Sequence, residues 1–241
     1  MAKLSTIEST NSLSLKLSKD ELSLKAKELR MCCLKISCRK KIPHLGSCLS
    51  CVDILTVLLW ESLKLDSNDP NFESRDRFLL SKGHASPVYL QALALRGFFD
   101  LSHLDTFGEN GSYFHEHPPK PGYINGVEAA TGSLGHGFSM ALGMAVASKI
   151  KGIENHVFAL LGDGECNEGV IWEAALLAPK LNATNLIGII DYNKLQATGR
   201  SQEITSIHPL PAKWSSFGWH VQEIDGHSIN DISVAIQKAK E

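Results

Sequence analysis

The sequence has no excess of basic charge, no long apolar run and few cysteines, and each shortage removes a class of function. Lys and Arg total 24 against 26 Asp and Glu, a formal charge of −2. A nucleic-acid-binding chain needs a cationic surplus to neutralise phosphates. No apolar stretch approaches the roughly 20 residues of a membrane-spanning helix. The N-terminal MAKLSTIESTNSLSLKLSKDE alternates Leu with Ser and Lys and lacks the apolar block of a secretory signal. Glu8 and Asp20 argue against an organelle transit segment, so the chain reads as cytoplasmic. Six cysteines in 241 residues do not make a disulfide scaffold. Cys48-Leu-Ser-Cys51 has C-x-x-C spacing but follows a Pro-His-Leu-Gly turn instead of a strand. Cys32 and Cys33 are adjacent and do not provide the second spaced pair of a zinc site. Buried free thiols are the expectation.

What is present is a core. Hydrophobic residues are 43% of the chain, too many for a disordered protein. Residues 1–18 are polar and are expected to be flexible, and residues 19–241 are expected to form one domain. Ser18 and Glu21 form a capping box ahead of a helix that buries Leu22, Ala26, Leu29 and Cys33. Pro43-His44-Leu45-Gly46 interrupts it, and a second helix is predicted over Ser50–Trp60. Arg77–Leu80 reads as a strand, followed by a Gly-His turn and an Ala/Leu-rich helix. Thr106 to Gly135 reads as a loop longer than a connector needs to be, which marks it as functional. Downstream, helix Gly137–Lys149, strand His156–Leu161, helix Glu168–Leu181, strand Asn185–Asp191, strand Trp219–Ile224 and helix Ile229–Lys240 follow. Apolar strands separated by helices predict an α/β fold, a parallel sheet with helices on both faces.

Gly162-Asp163-Gly164 lies at the carboxyl end of an apolar strand and leads into a helix, the position where open α/β sheets bind ligands. The spacing Gly162, Gly164, Gly169 does not match the dinucleotide fingerprint G-x-G-x-x-G. Backbone N–H groups at such a turn favour phosphate, yet Asp163 would repel it unless a cation lay between them. Mg²⁺ takes one or two protein oxygens together with phosphate oxygens. Alternatively, Asp163 simply caps the helix, and the turn alone leaves both readings open. The next strand ends at Asn193. Consecutive parallel strands lie side by side or nearly so, so Asp163 and Asn193 should leave the same sheet edge. With a loop carbonyl, that of Leu195, they supply three hard oxygens.

GDG followed by Asn193 resembles the diphosphate-binding motif of thiamine-diphosphate enzymes, and LLGDGECNEGVIWEAALLAPKLNATNLIGIIDYNKLQATG resembles transketolases in particular. HLGSCLSCVDILTVLLW, RDRFLLSKGHASPVYLQAL and GVEAATGSLGHGFSMALGMAVA resemble transketolase segments in transketolase order, so the likeness covers most of the chain after residue 40. It implies the thiamine-diphosphate-binding fold, specifically its diphosphate-binding domain. It implies thiamine diphosphate and Mg²⁺ as cofactors, with Asp163, Asn193 and the Leu195 carbonyl as metal ligands. Gly162, Gly164, Asn193, Gly132, Ser133, Leu134 and His84 are implied as cofactor contacts, and His44, His84 and His117 as catalytic residues facing a sugar. Glu168 and Glu173 resemble acidic residues of the transketolase dimer interface, although they also read as ordinary exposed helix acids. The chain departs from the family at Pro43 (usually Gly), at Glu116 and Pro119 around His117, and at His136 (usually Gln). His115-x-His117 also has the spacing of a zinc-binding pair on a strand.

Full transketolases carry downstream a second domain that holds the aminopyrimidine and supplies an activating Glu. This sequence reaches only Glu241, so the resemblance implies a split enzyme. A separate pyrimidine-binding subunit would complete it, in an α2β2 assembly, and the reaction would be transfer of a two-carbon ketol unit from a ketose to an aldehyde. The competing readings are the α-subunit of a 2-oxo acid decarboxylase or dehydrogenase, which also uses GDG…N, and a non-catalytic cofactor-binding subunit.

Overall fold

Ser18 caps the first helix as expected. In the computed structural model, which describes residues 16–241, the Ser18 hydroxyl accepts from the Glu21 N–H, and Glu21 accepts in return from the Ser18 N–H at 2.8 Å. Helix α1 (Lys19–Lys40) buries Leu22, Ala26, Leu29 and Cys33. Of the expected flexible segment, residues 16–18 are described, with the Leu17 N–H donating to the Trp60 carbonyl at 3.5 Å. Residues 1–15 lie outside the described residues.

The sheet contains three parallel strands in the order β1 (Arg77–Leu80), β2 (Val157–Gly162), β3 (Leu186–Asp191). Their side chains alternate between two apolar layers, which explains why the strands lack polar residues. Phe78, Leu80, Phe158, Leu160 and Ile187 join the layer built by α1, α3 (Val52–Val57), α4 (Ser86–Arg96) and α9 (Ile229–Ala239). Leu79, Val157, Ala159, Leu161 and Leu186 join the layer of α5 (His136–Lys151), α6 (Gly169–Lys180) and α8 (Leu210–Ser216). The fold is therefore α/β with helices on both faces. All six cysteines are free; Cys33, Cys48, Cys51 and Cys166 are buried as expected, whereas Cys38 is exposed.

Two elements differ from their expected form. The helix predicted over Ser50–Trp60 begins a turn earlier as α2 (Leu45–Ser50) and breaks at Cys51. It resumes as α3 and ends in a π-helical turn, Leu58–Ser62. The strand predicted over Trp219–Ile224 is not laddered to any strand among the described residues. Side-chain bonds hold it instead: Trp219 Nε1 donates to the Ala175 carbonyl at 2.8 Å and Gln222 Nε2 to the Ala235 carbonyl at 3.0 Å. Those bonds and the partial burial of Trp219 and Val221 hold the segment extended without pairing.

The long loop between Thr106 and Gly135 is anchored at its far end by Glu128, which pairs with Arg75 at 2.8 Å and Arg77 at 3.0 Å at the entrance to β1. All three side chains are largely buried. Glu128→Ala would leave two buried guanidinium groups short of an anion, and one-sided loss of such a pair costs about 3–5 kcal/mol. Arg75 keeps the Phe72 carbonyl as a partner, so the expected loss in urea unfolding lies near the low end, about 3 kcal/mol. A loss below about 0.5 kcal/mol, the level of an ordinary surface substitution, would show that the pairs are solvated.

Candidate active site

The carboxyl ends of all three strands meet in one place. β2 and β3 pair in a register that sets Gly162 opposite Asp191, and the Asp163 N–H donates to the Asp191 carbonyl at 3.2 Å. Asp163 and Asn193 therefore leave neighbouring strand tips. Asp163 is 1% exposed and its Oδ2 accepts from the Ser201 hydroxyl at 2.7 Å. It has no ion-pair partner among the described residues. A buried carboxylate without a cation is costly, so this donor set fits a small divalent ion. The Asn193 amide oxygen accepts from the Leu195 N–H at 2.9 Å, folding the chain back so that Leu195 follows at the same edge. The short hairpin β4 (Leu195–Gln196) and β5 (Gly199–Arg200) then returns it to Ser201, whose N–H donates to the Lys194 carbonyl at 3.1 Å.

The GDG turn is not a simple helix cap. Asp163 precedes a 3₁₀ turn, Gly164–Asn167, and α6 starts at Gly169 with no side-chain cap. Gly164 opens that turn, so its N–H has no partner within it. The Gly162 N–H instead donates to Glu165 Oε2 at 3.2 Å.

Glu165, which no sequence motif singled out, ties the site together. It is 2% exposed and also accepts from the Ser81 hydroxyl at 2.5 Å and the Gly135 N–H at 2.7 Å. One carboxylate thus joins the end of β1, the TGSLG segment and the GDG turn. Burial pushes its pKa up, while these donors pull it down less strongly. A second buried pair lies beneath: Lys82, 4% exposed, contacts Asp191 at 2.5 Å, the Ser47 carbonyl at 3.0 Å and the Ser50 hydroxyl at 3.3 Å. Burial alone would lower the Lys82 pKa, but nearby Cys51 and Asp191 outweigh it and the pKa is raised. Burial pushes Cys51 itself up to about 12, which keeps it a neutral thiol, so Asp191 is the anion that holds Lys82 charged. Glu165 directly follows GDG and Lys82 lies within SKGHA, but nothing in either local pattern marks the charge as buried.

Above this base the three predicted histidines cluster. The His44 and His84 rings meet edge-on with centroids 4.8 Å apart, and His84 and His117 likewise at 4.7 Å. His44 has φ 67°, a left-handed conformation uncommon for a residue with a Cβ and frequent at functional sites. The TGSLG segment closes the floor. A Cβ on Gly83 would come within 2.6 Å of the Gly132 N atom, and one on Gly132 within 2.6 Å of His117 Cδ2, so both positions need glycine. Ser133 is exposed and Leu134 half-buried beside them. Among the described residues no three His, Cys, Asp or Glu side chains converge as metal ligands, so His115 and His117 lack the further partners zinc would need.

Burial lowers the His84 pKa, and the neighbouring His117, His44 and Lys82 lower it further. His84 is therefore neutral at pH 7 and able to accept a proton. An NMR titration should place its midpoint below 6.5, and His117→Gln should move it upward by removing a neighbour whose interaction lowers it. A midpoint above that value would contradict this electrostatic picture.

Glu168 and Glu173 are exposed, and Glu173 shares the outer face of α6 with Leu176, 61% exposed, and Leu177. Ile150 at the end of α5 is 81% exposed.

Comparison with known proteins bears on the family and the fold. Residues 23–241 match the family model "Transketolase, thiamine diphosphate binding domain". The chain is 43% identical over 199 residues to the 6-deoxy-6-sulfo-D-fructose transketolase subunit SqwG of Clostridium sp. (strain MSTE9), an alignment covering 83% of this chain and 72% of the relative. It is 37% identical over 213 residues to an apulose-4-phosphate transketolase subunit of Phocaeicola vulgatus, covering 88% and 75%. The crystal structure of transketolase from Campylobacter jejuni superposes with a TM-score of 0.86 at 29% identity, covering 93% of this chain and 36% of the other. The chain thus spans about a third of that transketolase and about three quarters of the two subunits.

Proposed function

This chain belongs to the transketolase family through its thiamine diphosphate-binding domain, and from that premise we propose that it is the diphosphate-binding half of a split transketolase. A separate pyrimidine-binding subunit completes the enzyme, in an α2β2 assembly, and the complex moves a two-carbon ketol unit from a ketose to an aldehyde. Two matched relatives are named as subunits, and the exposed Leu176, Leu177 and Ile150 offer an apolar face for such a partner. Both relatives are named for ketoses bearing a strongly anionic group, sulfonate or phosphate, and the same donor class suits this chain.

The single observation carrying the reading is the β2–β3 register, which brings Asp163 and Asn193 to adjoining strand tips. There the Asp163 carboxylate, the Asn193 amide oxygen and the Leu195 carbonyl hold Mg²⁺, and the Gly164 N–H binds the diphosphate. Thiamine diphosphate, when bound, supplies the electron sink for breaking and making the carbon–carbon bond. Gly132, Ser133 and Leu134 pack on the cofactor. Neutral His84, between His44 and His117, takes up and returns protons at the substrate's hydroxyl and carbonyl oxygens. Gly162 contributes by shape, since its N–H serves Glu165.

The test is product analysis on the assembled complex with Mg²⁺, thiamine diphosphate, a ketose phosphate and an aldehyde acceptor. The donor should return an aldose two carbons shorter while the acceptor becomes a ketose two carbons longer. Release of CO₂ from a 2-oxo acid without ketose cleavage would identify a decarboxylase component, and cofactor binding with no turnover on any substrate a regulatory one. Either result would overturn the proposal.

A further inference from the structure

We infer that Gln196 is an additional cofactor contact, its side-chain amide donating to the diphosphate at the Gly164 turn; this deepens, and rests on, the thiamine diphosphate reading above. The β4–β5 hairpin is fastened against the GDG turn. The Ser201 hydroxyl donates to Asp163 Oδ2 at 2.7 Å, its N–H donates to the Lys194 carbonyl, and Gln196 pairs with Gly199 between these two ends. This closure lays the Gln196 side chain across the bare Cα of Gly164. A Cβ built there would stand 2.8 Å from Gln196 Cγ, 2.9 Å from Cδ and 3.3 Å from Oε1. The side chain therefore lies against Gly164, which opens the 3₁₀ turn, with Oε1 the nearer of its two amide atoms.

The amide itself lacks a partner. Gln196 Nε2 is buried and makes no hydrogen bond among the described residues. Such a donor is seldom left without an acceptor in a native fold. A half-turn about the terminal torsion of Gln196, which is broad and roughly two-fold, brings Nε2 to an oxyanion received by the Gly164 N–H as a second donor. A neutral amide suits this position, because it binds an anionic oxygen without adding a charge that would compete with a divalent ion. The two residues of β4 then divide the work, with the Leu195 carbonyl facing the metal and the Gln196 amide facing the anion.

Titration calorimetry of the assembled complex at saturating Mg²⁺ tests this, with thiamine diphosphate and inorganic pyrophosphate as separate probes. Gln196→Ala should raise Kd about 10- to 100-fold, the effect of losing a hydrogen bond to a charged group, and equally for both probes. Gln196→Glu, of the same shape, should weaken both further by placing a carboxylate against the diphosphate. The melting temperature of cofactor-free Gln196→Ala should not fall, since the substitution removes an unsatisfied group. Unchanged Kd for Gln196→Ala, or a loss for thiamine diphosphate but not pyrophosphate, overturns the inference alone. Failure of the unaltered complex to bind thiamine diphosphate overturns the cofactor reading and this inference together.

Discussion

Asp163→Asn should remove Mg²⁺-dependent binding of thiamine diphosphate while leaving the cofactor-free chain at least as stable as before. The two halves of this expectation have one cause. Asp163 is almost fully buried and no cation pairs with it among the described residues. Its charge therefore costs stability in the empty chain, and an asparagine of the same shape can still accept from Ser201. In the loaded complex the same charge is the only formal anion among the three proposed ligands. Truncating one member of a buried charge pair costs about 2–5 kcal/mol or more, and each 1.4 kcal/mol is tenfold in affinity. The expected rise in Kd is thus on the order of 10³-fold, read by calorimetry at fixed Mg²⁺. An affinity within threefold of the unaltered complex would remove Asp163 from the metal site. A large fall in melting temperature would instead make it a structural residue.

The second large effect concerns the partner. Saturated with Mg²⁺ and thiamine diphosphate, this chain alone should turn over ketose donors at least about 10³-fold more slowly than the assembled complex. Loss of one positioned acid–base group typically costs 10²- to 10⁴-fold, and here the whole pyrimidine-binding side would be absent. The described residues hold only the proposed diphosphate end of the site (the β2 and β3 tips, the TGSLG segment and the histidine cluster). Turnover by the chain alone within tenfold of the complex would end the split-enzyme proposal without touching the metal assignment. Leu176→Glu on the exposed face of α6 gives a graded version of the same test. It should weaken assembly, read by sedimentation, without unfolding the chain, because Leu176 is 61% exposed.

The parts of this architecture that depend on local chemistry were legible in the sequence. Ser18 and Glu21 marked a helix start because a capping box needs only residues three apart. The apolar strands showed the buried parallel sheet, and the glycines around Asp163 marked a strand end where backbone N–H groups are accessible. His44, His84 and His117 were located by resemblance to a family, and the structure then sets neighbouring rings within 5 Å of one another. Contacts that link distant segments were not legible. Lys82 meets Asp191 across 109 residues and Ser81 meets Glu165 across 84. Nothing in the local pattern separates such buried charges from exposed ones. Trp219–Ile224 shows the converse limit: the succession of strands and helices suggested a strand, whereas a strand also needs a backbone neighbour, and this segment is held by side-chain bonds to the Ala175 and Ala235 carbonyls.

The most direct measurement is anomalous diffraction from crystals of the complex grown with Mn²⁺ and thiamine diphosphate. The account predicts a single strong peak at the carboxyl ends of β2 and β3, enclosed by Asp163, the Asn193 amide oxygen and the Leu195 carbonyl, with diphosphate density beside Gly164. A peak elsewhere, or diphosphate bound with those three oxygens turned away from it, would contradict the account.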